Sequence, residues 1–226
     1  MGTKMAPSYA NIFMGKPEGQ LLASVELTPY QLVRFINDIE IKWQHGRESL
    51  DDFISKANYF HPSIKFTAEI SNSNHVFLDT TTKLVENKLH TDICLKPTDT
   101  HQYLLPTNCH PKHCIRNIPF SQALRIRRIC SDDETFLKSS EELSKHLIYR
   151  GYDKDLVAEA TQRAKQTNRD DLQKYGKKAK ADRIPFIQTY HPDNPKVGKI
   201  IAKHWPIVKS SDVLKLILPN KPVVAY

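Results

Sequence analysis

The spacing of apolar residues predicts a mixed front part and a mainly helical back part. Apolar positions recur at helical spacing over residues 6–22 and again over 49–58. Pro7 suits the first turn of the earlier helix, and Ser49 is a candidate N-cap for the later one. These two segments are therefore expected to flank whatever sheet the front part forms.

Strands are predicted where apolar and polar residues alternate. Residues 31–43 alternate on both sides of Asn37-Asp38, which predicts two short strands joined by a tight turn at that pair. Further alternation predicts strands over 63–70, 75–80 and 91–96, with a polar turn at 71–74.

After residue 97 the pattern becomes helical. Residues 97–117 are rich in Pro, His and Cys and are expected to be irregular. Helices follow over 119–130, 134–149 and 153–166, with Asp132 or Asp133 and Asp153 as caps and Gly151 as a stop. A strand at 184–190, a helix at 195–205 and an apolar tail complete the pattern.

Composition and charge indicate what kind of partner the protein binds. The 226 residues carry a net charge of +8, with −1 over residues 1–90 and +9 over residues 91–226. A neutral front and a basic back indicate a scaffold joined to a part that faces a polyanion. There is no signal-like start, no run long enough to span a membrane and only four cysteines, so we expect an intracellular protein, nuclear or cytoplasmic, without a membrane partner.

Candidate chemistry centres on Asn37-Asp38. A hairpin turn can project a carboxylate out of a sheet, where Mg²⁺ and phosphates can reach it. The same residue pair is also common in hairpin turns that have no chemical role.

Several motifs, in order and at close spacing, resemble the reverse transcriptase of Penelope-like retroelements. The resemblance covers nearly the whole chain. The front motifs resemble the polymerase palm, and the later ones resemble the post-palm region, which is also described as an animal helix-turn-helix domain. The segments are MGTKMAPSYANIFMG (1–15), RFINDIEIKW (34–43), HPSIKFT (61–67), VFLDT (76–80), KPTDTHQYLLPTNCHPKHCIRNIPFSQALRIRRIC (96–130) and KHWPIVKSSDVLKLIL (203–218).

The resemblance implies an α+β fold. A partial palm sheet with flanking helices would occupy residues 1–95, a helix-turn-helix-like and thumb-like helical domain 96–168, and a basic C-terminal segment of the polymerase unit 169–226. Asp38 would be the second Asp of the catalytic motif and a metal ligand. Residues of the motif that contacts template–primer and incoming nucleotide would be Gly2, Thr3, Lys4 and Pro7.

Two departures from the family pattern imply a lost activity. Asn37 stands where the family has its first catalytic Asp, and its neutral amide cannot replace a bridging carboxylate. The upstream strand with another metal-binding Asp is expected to be missing, so the protein would be an N-terminally truncated fragment. We therefore expect Mg²⁺ binding to be weak or lost, no polymerase activity, and retained binding to RNA, DNA or an RNA·DNA duplex. A dNTP is the one small molecule that the resemblance implies.

Basic residues in the back part are the candidate phosphate contacts. Arg125, Arg127 and Arg128 lie in one predicted helix, and either phosphate contact or pairing with nearby acidic residues explains them equally well. Lys177 and Lys178 belong to a basic cluster that could contact a duplex, act as a nuclear address or form a solvated surface. A helix-turn-helix module that reads DNA, attached to a vestigial palm, remains the alternative to a thumb-like backbone grip.

A zinc site is not expected. Cys109 and Cys114 are five residues apart, with no second pair at zinc spacing nearby. The favoured interpretation is an irregular loop with buried thiols.

Overall fold

The computed structural model describes residues 3–174, 176, 184–192 and 196–225. The chain divides into two compact units, Met1–Leu95 and Lys96–Tyr226. The first contains two small antiparallel sheets and two helices, and the second is mainly helical. The expected mixture of helix and strand with a helical C-terminal region is confirmed; the identity of the front unit as a palm stays a prediction.

Two sheets and two helices make up the front unit. Strands β1 and β2 form a two-stranded hairpin, and β3, β4 and β5 form a three-stranded meander. In chain order the elements are α1 (Ala6–Ser24), β1 (Gln31–Phe35), β2 (Asp38–Lys42), α2 (Arg47–Phe60), β3 (Asn74–Phe77), β4 (Thr80–Val85) and β5 (Lys88–Ile93). Pro7 lies in the first turn of α1, as predicted.

Residues 63–70 do not form the predicted strand. The side chain of Asn58 in α2 accepts a hydrogen bond from the Phe66 backbone amide (2.6 Å) and donates one to the Phe66 carbonyl (3.1 Å). Asn58 thus satisfies both backbone groups of Phe66, which a neighbouring strand would otherwise pair, and the segment is irregular and held near the end of α2. The prediction also missed β4, which starts after a two-residue turn at Leu78-Asp79.

Ser49 is not the N-cap of α2. The helix begins two residues earlier, after Gly46, whose φ of +88° is favourable for glycine alone. The Ser49 hydroxyl instead donates to the carbonyls of His45 and Gly46 and accepts from the Trp43 indole (3.1 Å). Trp43 then packs at 5.1 Å against Phe53. The serine thus fixes the tryptophan beside the core.

The core of the front unit is small. Its buried members are Leu21, Phe53 and Ala57, from α1 and α2. Half-buried side chains from the hairpin and the irregular segment complete it: Leu22, Val25, Ile41, Trp43 and Phe66.

Three helices pack around the larger core of the second unit. They are α3 (Lys112–Ile129), α4 (Asp133–Tyr149) and α5 (Lys154–Gln166), followed by the short α6 (Arg169–Gln173). The predicted caps are confirmed: Asp132 accepts from the Thr135 amide (2.8 Å) and Asp153 from the Leu156 amide (3.0 Å). Gly151 ends α4 with φ +90°, as expected.

Helix α3 begins seven residues earlier than predicted. A start at residue 119 would have placed Pro119 in the first turn, where the missing backbone donor of proline is tolerated. In the structure Pro119 lies inside the helix and its ring is buried in the core with Ala123 and Ile126. Burial of the ring offsets the missing hydrogen bond, and the region expected to be irregular therefore ends at Pro111.

An irregular segment, residues 101–105, lies against the end of α4 and the turn that precedes α5. The Tyr103 carbonyl accepts two hydrogen bonds from the Arg150 guanidinium (3.0 and 2.8 Å), and the Leu104 carbonyl accepts one from the Tyr152 hydroxyl (2.9 Å). The His101 ring stacks on that of His146 in α4, with centroids 3.7 Å apart. These contacts attach the segment to the helical bundle.

The C-terminal part pairs two short strands in parallel. β6 (Pro185–Ile187) pairs with β7 (Val223–Ala225), with α7 (Val197–Ser210) and α8 (Leu214–Ile217) between them. The predicted strand at 184–190 is shorter in the structure, and the predicted helix at 195–205 continues to Ser210. Trp205 is the buried side chain of α7.

Candidate nucleic-acid interface

The tip of the β1–β2 hairpin is displaced by one residue from the prediction. Phe35 pairs with Asp38, so the two loop residues are Ile36 and Asn37, and Asp38 is the first residue of β2. The predicted tight hairpin is confirmed, but the turn at Asn37-Asp38 is wrong. Ile36 has φ +57°, which a β-branched residue rarely adopts, so the turn needs support from its surroundings.

Arg34 supplies that support from β1. Its guanidinium donates to the Ile36 carbonyl (3.2 Å) and to the Asn11 side chain (2.8 Å), and it forms an ion pair with Glu18. Asn11 and Glu18 are both in α1, and the Arg34 side chain is only 11% exposed. Arg34 therefore fixes the hairpin tip to α1 with a nearly buried, charge-assisted network.

Asp38 and Asn37 do not fit a two-metal centre. Both side chains are exposed, and the Asn37 amide nitrogen faces the Asp38 carboxylate at 3.5 Å, so the amide presents a donor there rather than a ligand oxygen. Within the described ranges, no group of three or more His, Cys, Asp or Glu side chains is arranged to hold a metal ion. A single carboxylate beside an amide lacks the anionic ligands that two Mg²⁺ ions need.

The predicted template-contact residues lie at the start of α1. Thr3 and Lys4 are exposed in the turn before the helix, where the Thr3 carbonyl accepts from the Ala6 amide (3.2 Å), and Pro7 is half-buried in the first turn. Gly2 lies outside the described residues. Since α1 also carries Asn11, the structure connects these residues to the hairpin tip through Arg34. Their contact with nucleic acid stays a prediction.

The three arginines at the end of α3 have different environments. Arg127 forms an ion pair with Asp133 (2.6 Å), donates to the Thr167 carbonyl (3.3 Å) and lies 5.5 Å from the centre of the Phe136 ring. Its side chain is 16% exposed, so Arg127 joins α3 to α4 and to the end of α5. Arg125 and Arg128 are exposed on the outward side of the helix. They are the two of the three that a phosphate could reach directly.

Helix α3 carries five basic residues and no acidic one. Besides the three arginines these are Lys112 and Arg116, both exposed, which the sequence analysis missed because it started the helix at residue 119. The signal was available in the sequence, since no carboxylate occurs between Lys112 and Ile129. An α-helix without acidic residues on a bundle surface is a favourable place for backbone phosphates.

A short turn joins α4 to α5, as in a helix-turn-helix, but the exposed face of α5 is partly acidic. Four residues of the turn, 150–153, separate the helices. The exposed positions of α5 are Lys154, Asp155, Ala158, Glu159, Gln162, Arg163 and Gln166, with both carboxylates and one lysine in its N-terminal half. Arg163 lies with its guanidinium 3.8 Å from the centre of the Phe120 ring of α3.

Burial changes the acidity of Tyr103, in the segment 101–105, and of Tyr152, in the turn between α4 and α5. Burial, with a smaller contribution from the Asp99 carboxylate, raises the pKa of Tyr103, although Arg125 opposes it. Burial also raises the pKa of Tyr152, although Arg150 opposes it. Both phenols therefore stay neutral to higher pH than an exposed tyrosine.

Two further predictions concern cysteines and lysines. All four cysteines are free thiols; Cys130 is buried, but Cys109 and Cys114 are exposed, so the expected burial of these two is wrong. Cys114 belongs to the first turn of α3 rather than to a loop. Lys177 and Lys178 lie outside the described residues.

Comparison with known proteins identifies one region. Residues 102–162 match the family described as the animal helix-turn-helix domain. The match covers residues 102–105 of the attached segment, α3, α4 and most of α5, and it confirms the predicted helix-turn-helix region. No curated protein and no solved structure matches the chain. None of the helices within the described ranges is long and apolar enough to cross a membrane.

Proposed function

We propose that this protein binds duplex nucleic acid through its backbone phosphates, and that it derives from a retroelement reverse transcriptase. The observation that carries the binding proposal is the charge of α3: five cations and no carboxylate in 18 residues. Arg125 and Arg128 are exposed on this helix, while Arg127 holds its end to the bundle. Such a surface attracts RNA, DNA or an RNA·DNA duplex alike, because all three present phosphates.

The front unit, by this proposal, is a palm remnant without polymerase activity. Support comes from Asn37 and Asp38 at the hairpin tip, which do not fit a two-metal centre. Primer extension tests this: purified protein with Mg²⁺, a primed RNA template and labelled dNTPs should incorporate nothing above background. Incorporation by the wild type that disappears in Asp38→Ala would contradict it.

Binding is tested by fluorescence anisotropy of the full chain with labelled DNA, RNA and RNA·DNA duplexes. Binding through backbone phosphates predicts an affinity that falls steeply between about 50 and 200 mM salt, because each phosphate contact releases a counterion. Binding that does not change over this salt range would contradict a phosphate grip, and the absence of binding at low salt would refute the function.

A helix-turn-helix module that reads DNA is the second candidate. The observations that favour it are the family match over residues 102–162 and the short turn between α4 and α5. The two candidates differ in selectivity. A backbone grip binds all duplexes of one type with similar affinity, whereas a reader prefers its site over random DNA by about 10³-fold or more. Selection from a random-sequence DNA pool separates them.

A further inference from the structure

Helix α3 presents a polar, uncharged patch next to two arginines on its outward side. Asn117, Ser121, Arg125 and Arg128 are all exposed. Their spacing of four, four and three residues places them on one face of the helix, opposite the face that buries Ile115, Pro119, Ala123 and Ile126 in the core. We call these four residues the α3 stripe. It is about 16 Å long at 1.5 Å per residue.

The outward face of α5, the helix that follows the short turn, carries more acidic than basic residues in its N-terminal half. Asp155 and Glu159 are exposed one turn apart in its N-terminal half, where Lys154 is the one exposed cation. This half is the part of a recognition helix that usually approaches base edges. If α5 entered a groove, the phosphates on both rims of that groove would repel these carboxylates. Charge complementarity thus favours α3 over α5 as the helix that meets a duplex.

We infer that the α3 stripe enters the major groove of B-form DNA and that α5 does not act as the recognition helix. This inference rests on the proposed nucleic-acid binding and names its surface and its partner. The groove is about 12 Å wide and admits an α-helix, whereas the deep, narrow major groove of A-form RNA does not. Arg125 and Arg128 contact rim phosphates, and Asn117 and Ser121 lie at the base edges, where amides and hydroxyls form specific hydrogen bonds.

A matched pair of charge insertions tests which helix enters the groove. Ser121→Glu places a carboxylate in the middle of the α3 stripe, and Ala158→Glu places one on the exposed face of α5. Both changes add one negative charge at an exposed position, and glutamate is compatible with a helix. In anisotropy titrations of the full chain with a mixed-sequence DNA duplex, we expect Ser121→Glu to weaken binding about tenfold or more. Ala158→Glu should change the affinity by less than about threefold, since it alters the long-range charge alone.

Each other outcome overturns the inference in a distinct way. A loss confined to Ala158→Glu assigns the groove to α5, and equal losses in both variants mean attraction at long range without groove entry. If neither variant weakens binding, another surface carries it. In these three cases the proposed binding function survives, whereas a wild type that binds no duplex refutes both.

Two measurements keep the test valid. Far-UV circular dichroism of both variants must match the wild type. Arg128→Ala, which inserts no charge, should weaken binding in the same direction as Ser121→Glu.

A modified duplex tests groove entry directly. DNA methylated at guanine N7, a major-groove acceptor, should bind more weakly than unmodified DNA. Equal or tighter binding of an RNA duplex, or no effect of methylation, would refute groove entry while leaving a backbone grip intact.

Discussion

The two units of this chain are stabilised in different ways. The helical unit buries large side chains completely, with Phe136 and Leu147 at 0% exposure. In the front unit the core is three buried residues, and the partners that surround them remain partly open to solvent. The hairpin tip of that unit is held by the polar network of Arg34 rather than by apolar packing. Apolar burial thus stabilises the bundle, whereas a charged side chain determines where the hairpin tip lies.

This difference indicates which surfaces of the molecule tolerate substitution. A bundle with a complete core tolerates changes on its outward helix faces, because those side chains contribute little to stability. Helix α3 can therefore carry its cations without harm to the fold. The hairpin tip depends on a few named contacts, so its geometry and any chemistry on it are easier to lose.

Truncation of Phe136 should cause the largest loss of unfolding free energy. Phe136→Ala leaves a cavity in the bundle core, and such changes cost about 3–5 kcal/mol of unfolding free energy. The measurement is urea unfolding of the full chain followed by the far-UV signal of its helices. Leu137→Ala is the control, because that side chain is 46% exposed on the same helix and should cost well under half as much. Equal losses in the two variants would mean that α4 packs differently.

Removal of Arg34 should have the largest polar effect. Arg34→Ala leaves Glu18, 20% exposed, without its partner and frees the Ile36 carbonyl, at a cost of about 1–3 kcal/mol. Trp43 fluorescence in a Trp205→Phe background reports unfolding of the front unit. Arg47→Ala is the matched control, since its pair with Asp51 is more than half exposed and should contribute below about 0.5 kcal/mol. A similar small loss for both would show that the network does not hold the hairpin.

Loss of a helix cap should cost less than either change. Asp153→Ala removes the acceptor for the Leu156 amide at the start of α5, which costs about 1 kcal/mol. Asp155→Ala, in the same turn but not a cap, controls for the loss of charge near the helix N-terminus. If the two variants unfold at the same urea concentration, the cap hydrogen bond contributes nothing beyond that charge.

Local sequence signals predicted the helices of the bundle well. Asp132, Asp153 and Gly151 act within a few residues of their own position, so the ends of α4 and α5 could be inferred without the fold. The failures involve distant partners. Residues 63–70 alternate as a strand does, yet the Asn58 side chain forms hydrogen bonds with both backbone groups of Phe66. Pro119 lies inside α3, where its ring is buried in the core.

The candidate site shows the same limit. The basic residues of α3 predicted Arg125, Arg127 and Arg128 as one group, but the pattern did not distinguish the largely buried, paired Arg127 from the two exposed arginines. That distinction depends on Asp133 and Thr167, which tertiary packing brings to Arg127. Nor could alternation alone fix the hairpin register. Moving the turn by one residue shifts the cross-strand partners by two, which leaves the same side chains on each face of the hairpin.

Alkaline pH should weaken the bundle slightly through Tyr152. Burial raises the pKa of its hydroxyl above the ordinary value of 10.0, and the hydroxyl donates to the Leu104 carbonyl. The folded state keeps this proton after the unfolded chain has lost it, so the stabilisation is complete below pH 10 and is lost as pH rises through the folded-state pKa.

Absorbance of tyrosinate near 295 nm can follow this step in the native protein. Among nine tyrosines, a late-titrating fraction should shrink in Tyr152→Phe and persist in Tyr149→Phe, whose ring is 89% exposed two residues before the turn glycine. The same Tyr152→Phe variant should lose less unfolding free energy than the wild type between pH 9 and 11. A late fraction that Tyr152→Phe leaves unchanged would mean that the segment over residues 101–105 opens before the phenol titrates, and that its hydrogen bonds are weaker than their lengths imply.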